Sequence, residues 1–276
     1  MPPSGSLIAR REALRRVGAG TLLAMGTSVW PGCQSARAQG GGKSFRFIAV
    51  NDFHHATAEC NPWFEALVRH MRGQVGVEFV LSIGDQADDA KPASHMAIRD
   101  HFRGLGFPVH YQVGNHDVRS ASDRSSYEAA YPNSLNYTFE HRGWQFVGFD
   151  STQGPDYDKT RIQAEPIQFL DTALPRLDRG RPTVVFTHFP LGSGAKMRPL
   201  NADAVLERLV DFNLQGVFSG HYHAYTTTAH RGIELVTNRC CSRLRGNHDG
   251  SKEKGYWLVT CADGKVAREF VAFSGT

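Results

Sequence analysis

VHYQVGNHDV, residues 109–118, is a short apolar run of β type that stops at a glycine and then delivers an amide, an imidazole and a carboxylate in succession. A brief apolar run bounded by a turn residue reads as a buried strand. In open α/β sheets, ligands collect at the carboxyl ends of strands, where Asn115, His116 and Asp117 fall. The same layout recurs on both sides. FRFIAV (45–50) runs into Asn51-Asp52-Phe53-His54, and VEFVLSI (77–83) into Gly84-Asp85-Gln86-Ala87-Asp88. TVVFT (183–187) meets His188, and GVFS (216–219) meets Gly220-His221-Tyr222-His223. WQFVGFD (144–150) is a further strand. Between these runs, helical spacing of apolar residues predicts helices over 61–73, 92–105, 166–179 and 202–212. The C-terminal third holds only strand-like stretches, TTTAHRGIELVTN, GYWLVTC and KVAREFVAF, which predict a closing antiparallel sheet. The result is an α/β layout in one domain from Ser44 onward.

Each motif alone is weak, since an Asp-x-His triplet or a strand-ending histidine is common and usually structural. Five in one order, each directly after an apolar strand, are specific. D-x-H at Asp52 and His54, GD-x-x-D at Gly84, Asp85 and Asp88, GNHD at 114–117, the lone His188 and GH-x-H at 220–223 together resemble the calcineurin-like metallophosphoesterase family. The resemblance runs from about Ser44 to the C-terminus and includes YTFEHRGWQFVGFDS (137–151).

It implies a four-layer αββα sandwich, two mixed β-sheets flanked by helices, around two divalent metal ions, with Mn, Fe or Zn all suited to mixed N/O ligation. Carried over by position, Asp52, His54, Asp85 and His223 would hold one ion, and Asp85, Asn115, His188 and His221 the other, with Asp85 bridging. A metal-bridging hydroxide would be the nucleophile, His116 the general acid, and Asp88 the partner of His116. The chain lacks a large cap insertion, which makes it similar to the small phosphodiesterase branch that includes class III cyclic-nucleotide phosphodiesterases. A phosphodiesterase acting on a small phosphoester is therefore expected. A phosphomonoesterase on the same site and a non-catalytic metal-binding scaffold are the alternatives. The resemblance assigns no substrate-binding residue.

The charges agree with this chemistry. Among the ligands only Asp52 and Asp85 are anionic, so two divalent ions leave the centre attractive to a phosphate anion. The chain's formal net charge of +4 sits wholly in residues 1–38, where Arg10, Arg11, Arg15, Arg16 and Arg37 face only Glu12. The remainder is neutral and has no basic track for nucleic acid.

Residues 1–38 read as an export signal: the basic stretch ARREALRR, a modest apolar run, then small residues. Arg10-Arg11 resembles a twin-arginine signal. The apolar run is too short for a stable membrane span. Ala36-Arg37-Ala38 predicts cleavage before Gln39, with a lipid anchor at Cys33 as the less favoured alternative. A Gly-rich linker (39–43) then leads into the domain at 44–276. The mature protein is expected in the periplasm or outside the cell. There Cys60, Cys240, Cys241 and Cys261 could form a disulfide, with no pairing fixed by spacing.

GNHD occurs a second time at 246–249, with no apolar strand running into it. Asn247, His248 and Asp249 are therefore expected in a turn, not as ligands. His55 is expected behind the ligands, Arg119 and Arg124 in a solvated loop, and Trp63 in the core or at its rim.

Overall fold

A computed structural model describes residues 44–275. The expected export signal (1–38), the expected linker (39–43) and Cys33 lie outside the described residues. Strands β1 (Phe45–Val50), β2 (Val77–Ile83) and β3 (Val109–Gln112) are parallel neighbours in one sheet. β4 (Tyr137–His141), β5 (Trp144–Gly148), β6 (Thr183–Phe186), β7 (Leu214–Ser219), β8 (Thr226–His230) and β9 (Ile233–Thr237) form a second sheet, ordered β4-β5-β6-β7-β9-β8. β10 (Lys254–Ala262) and β11 (Lys265–Phe273) return to the first, giving β11-β10-β1-β2-β3. Both sheets are mixed, because β10 and β11 join antiparallel to β1, and β4 and β8 pair antiparallel at the edges of the second.

Side-chain alternation explains the layers. In β1, Phe47 and Ala49 point toward the second sheet and pack with Phe146, Phe186 and Phe218, while Ile48 and Val50 point the other way. That outer face is covered by α1 (Asn61–Arg72) and α2 (Pro92–Arg103) through Phe64, Leu67, Ile98 and Phe102. The outer face of the second sheet, with Val147, Val185 and Val217, is covered by α4 (Ala164–Ala173) and α5 (Ala202–Leu209). A short helix, α3 (Ser125–Ala130), follows the first GNHD. The fold is a four-layer αββα sandwich. The inner aromatic layer holds the sheets together, with Phe47 5.7 Å from Phe146 and 5.8 Å from Phe218. Each such buried ring contributes about 1.5–3 kcal/mol.

Two expectations change. The C-terminal strands do not close as one antiparallel sheet: the β8–β9 hairpin extends the second sheet, with β9 parallel to β7, and β10–β11 extends the first. The four cysteines of the described chain are buried free thiols, so none is paired. No helix among the described residues is long and apolar enough to cross a membrane.

Candidate metal centre

The parallel strands bring their carboxyl ends to one edge, where the two sheets meet. There β1 releases Asp52 and His54, β2 releases Asp85, β3 releases Asn115, β6 releases His188 and β7 releases His221 and His223. All seven are buried.

The backbone bends sharply to aim these side chains. Asp52, His54, Asp85, His221 and His223 all have φ between 47° and 66°. This left-handed region costs a non-glycine residue on the order of 1–3 kcal/mol and concentrates at functional sites. Glycines provide the remaining space. A Cβ on Gly84 would stand 2.3 Å from His188 Nδ1, one on Gly114 2.2 Å from Asp85 Oδ1, and one on Gly220 2.5 Å from Asp52 Oδ2. The glycine before each of these turns is thus the seat of a ligand from another strand.

The donor atoms converge. His54, Asp52, Asp85 and His223 each offer an atom within 4.8 Å of the others, as do Asp85, His188 and His221. Asp85 belongs to both groups. Its Oδ2 lies 3.5 Å from His54 Nε2 and 3.3 Å from His188 Nε2, while its Oδ1 accepts the His116 N–H at 2.9 Å. One oxygen faces both halves; the other is tied down. His54 Nε2 and His223 Nε2 stand 3.1 Å apart.

Each imidazole is held by its outer nitrogen, which leaves the inner one free to ligate. His188 Nδ1 donates to the Ile83 carbonyl at 2.9 Å, and His223 Nδ1 to Gly246 at 3.2 Å. His221 Nε2 donates to Tyr157 at 2.7 Å, and His54 Nδ1 to Asp88 Oδ1 at 3.1 Å. One inward atom, Asn115 Oδ1, is buried without any hydrogen-bond partner, and His188 Nε2 has only the Asp85 carboxylate 3.3 Å away. Orphaned buried polar atoms are costly unless something else satisfies them. Nitrogen and oxygen donors so arranged fit a pair of divalent ions.

Electrostatics point the same way. Burial opposes a charge on His223, but the Asp52 carboxylate 3.1 Å away overcomes it and carries the pKa up to about 11. Burial likewise opposes His188, and Asp85 with Asp52 lifts it to about 9. Burial alone would raise Asp52; His223 and His188 hold it at about 2 instead. Asp85 is lowered in the same way, chiefly by His188 against burial. In the metal-free protein, protons on two histidines therefore supply the positive charge that the buried carboxylates demand. Cations displace those protons, so metal uptake strengthens as pH rises.

Stability follows with a definite sign. The folded pKa values of His188 and His223 exceed the ordinary 6.5, so their contribution is complete below pH 6.5 and is lost as pH rises through about 9 and about 11. The metal-free protein should melt progressively lower from pH 6.5 to 10, whereas metal-loaded protein should not show this decline. Thermal melts of the two forms across that range test it; parallel curves would refute it.

His116 is half-buried beside the cluster, its ring centroid 4.7 Å from that of His54. Asp88 does meet it, through the main-chain carbonyl and not the carboxylate: His116 Nδ1 donates to Asp88 O at 2.8 Å. The Asp88 carboxylate serves His54 and Arg245, which together hold its pKa at about 2. Arg124 is not solvated; its Nε donates to Asp150 at 2.6 Å, a contact that locks the loop after β5. His55 turns away from the ligands toward Asn61. Trp63 sits at the rim of the core, donating to Cys241 O and packing on Phe273.

The second GNHD contributes to none of the converging groups of donor atoms among the described residues. Asn247 Oδ1 accepts the Cys240 N–H at 3.0 Å, where the matching oxygen of Asn115 has no partner. Its neighbours nevertheless touch the cluster: Arg245 donates to Asp88, and the His248 ring lies 5.5 Å from that of His223. The sequence signal for them was proximity to a repeated motif, which by itself says nothing about direction.

Comparison with known proteins agrees with this geometry. Residues 45–225 match the family model for calcineurin-like phosphoesterases. A protein of Psychrobacter arcticus named "Probable cyclic nucleotide phosphodiesterase" is 25% identical over 233 residues, covering 76% of this chain and 82% of that relative. Among solved structures, a dimetal phosphatase from Danio rerio superposes with a TM-score of 0.59 at 16% identity, over 83% of this chain and 99% of the other. The purple acid phosphatase PPD1 from yellow lupin gives 0.64 at 13% identity, over 84% and 52%. These structural likenesses speak to the fold. The match over most of the strand-end motifs shows that the chain belongs to the calcineurin-like phosphoesterase family.

Proposed function

We propose that this protein is an exported phosphodiesterase that works with two divalent ions, one on Asp52, His54, Asp85 and His223 and one on Asp85, Asn115, His188 and His221. The observation that carries the reading is the buried cluster of donor atoms that shares Asp85, with Asn115 Oδ1 turned into it without a partner. When bound, the ions supply Lewis acidity toward phosphoryl oxygens and a water activated near neutral pH.

The chain's own groups do the rest. Asn115 contributes an uncharged oxygen, which keeps the anionic ligands to two and the site receptive to phosphate. The Asp88 carbonyl keeps a proton on His116 Nδ1. Nε2 is then the nitrogen that holds and gives up the proton needed by the departing alkoxide. The diester preference is supported by the name of the Psychrobacter arcticus relative, 82% of which this chain covers. Export is supported by the signal-like residues 1–38, and Arg10→Lys with Arg11→Lys should leave active enzyme in the cytoplasm.

The direct test strips the purified protein of metal, reloads it with Mn, Fe or Zn, and compares hydrolysis of a chromogenic phosphodiester with the matching monoester. Metal-dependent turnover favouring the diester supports the proposal, and a monoester preference replaces it with a phosphomonoesterase. Two bound metals without turnover would favour a scaffold.

The twin motifs give a sharper comparison. Asn115→Ala should lower metal affinity and activity by at least about 10- to 100-fold, the cost of losing even a group that supports a ligand, and metal content should fall with them. Asn247→Ala should leave metal content unchanged and lower the melting temperature, because the Cys240 N–H loses its acceptor at about 1–3 kcal/mol. Elemental analysis and thermal melts of both variants decide it, and equal metal loss would overturn the distinction.

A further inference from the structure

The loop that carries the second GNHD is firmly built. Asn247 accepts from the Cys240 N–H at 3.0 Å and donates to the carbonyls of Ser251 and Glu253 at 3.1 and 2.8 Å. Asp249 accepts from Ser251 N at 2.9 Å and from Arg239 Nε at 3.2 Å. The His248 N–H donates to His223 O at 3.0 Å, and its ring lies 5.5 Å from those of both His223 and Tyr222. The loop is thereby pinned against a metal ligand.

It presents Arg245 to the edge of the cluster where Asp88 meets His116. Arg245 Nε and Nη2 lie 2.8 and 2.6 Å from Asp88 Oδ1, the same residue whose carbonyl fixes His116. That carboxylate oxygen is shared with His54, so the guanidinium is only partly neutralised. Its Nη1 has no partner among the described residues, and the side chain is 43% exposed. Two neighbouring cations are already occupied: Arg239 pairs with Asp249 and Glu253, and Lys254 donates to Cys240 Sγ. Exposed Lys196, 5.6 Å from the Tyr222 ring, adds a second positive charge to this rim.

We infer that Arg245 is a specificity-determining residue that binds an anionic group on the leaving alcohol, so that the preferred substrates are phosphoesters whose leaving group carries a second negative charge. The inference rests on the proposed hydrolysis with His116 on the leaving side. A guanidinium with a free N–H edge is suited to a carboxylate or phosphate there, and a charge-assisted contact of this kind is strong.

The test uses two aryl methyl phosphodiesters that differ only in a carboxylate on the aryl leaving group, with manganese-loaded wild type and Arg245→Gln. Glutamine keeps a donor toward Asp88 and removes the charge. The variant should lose about tenfold or more in kcat/KM on the carboxylated ester and less than about threefold on the neutral one. Intrinsic reactivity cancels in the wild-type-to-variant ratio. An equal loss on both esters would mean that Arg245 acts only through Asp88, and no loss would mean that it contacts nothing; either overturns the inference. Calorimetry with the non-hydrolysable phosphonate counterparts repeats the comparison without turnover. If wild type cleaves neither ester yet binds the carboxylated phosphonate more tightly in an Arg245-dependent way, charge selection stands and the hydrolytic reading falls. Arg245-independent binding would sink the inference alone.

Discussion

Asp85→Asn should empty both halves of the centre at once and lower kcat/KM by at least about 10³-fold, the scale of a lost electrostatic clamp on a phosphoryl transition state. The reason lies in one atom. Asp85 Oδ2 faces His54 on one side and His188 on the other, while Oδ1 is tied to the His116 N–H. The carboxylate cannot rotate to offer a replacement oxygen without breaking that bond. An amide brings either a neutral oxygen or an N–H into the shared position, and neither provides the charge two cations need. The same substitution removes the main anion that lifts His188, so the alkaline decline in metal-free stability should become shallower. Elemental analysis should find well under one metal per chain. Two retained metals with normal turnover would show that the halves are independent and that Asp85 does not bridge.

His116→Ala should behave quite differently, with metal content intact and turnover dependent on the leaving group. Loss of a general acid costs about 10²–10⁴-fold when the alkoxide needs a proton to depart. A nitrophenolate needs little help, so activity on a nitrophenyl ester should fall far less than activity on an alkyl ester. The main-chain N–H that anchors Asp85 survives this substitution, which separates the side chain's proton from its backbone's positioning role. A uniform loss across leaving groups would assign His116 to positioning and leave the acid to another group.

The strands that matter were legible because each combines an apolar run with a turn residue and then a donor. The continuous apolar run of β1 marked it as buried, and the structure covers both of its faces, Phe47 on one and Ile48 on the other. It did not foretell neighbours. Period-two patterns specify which face a strand buries, not which strand lies beside it, so β8 to β11 could not be distributed between sheets from sequence. β4 is five residues long at a sheet edge and α3 is six residues long, so each offers only a short pattern. Among the site residues, side-chain identity was readable and main-chain chemistry was not. The Asp88 carbonyl on His116 and the Tyr157 carbonyl on His221 could belong to any residue type. Arg124 was misplaced because its partner, Asp150, lies beyond another strand pair.

The glycine seats have a consequence for the order of events in folding. Gly84, at the end of the first sheet, houses His188 from the second, and Gly220, from the second, leaves room for Asp52 of the first. The two sheets key into each other at the very residues that bind. Neither half can preassemble a binding site, and β1 must also wait for β10, some two hundred residues later in the chain, to complete its sheet. Pairings so distant in sequence are late and slow to form. Metal capture at the proposed centre would therefore report finished folding, and the compartment in which this chain completes its fold would decide which metal it meets.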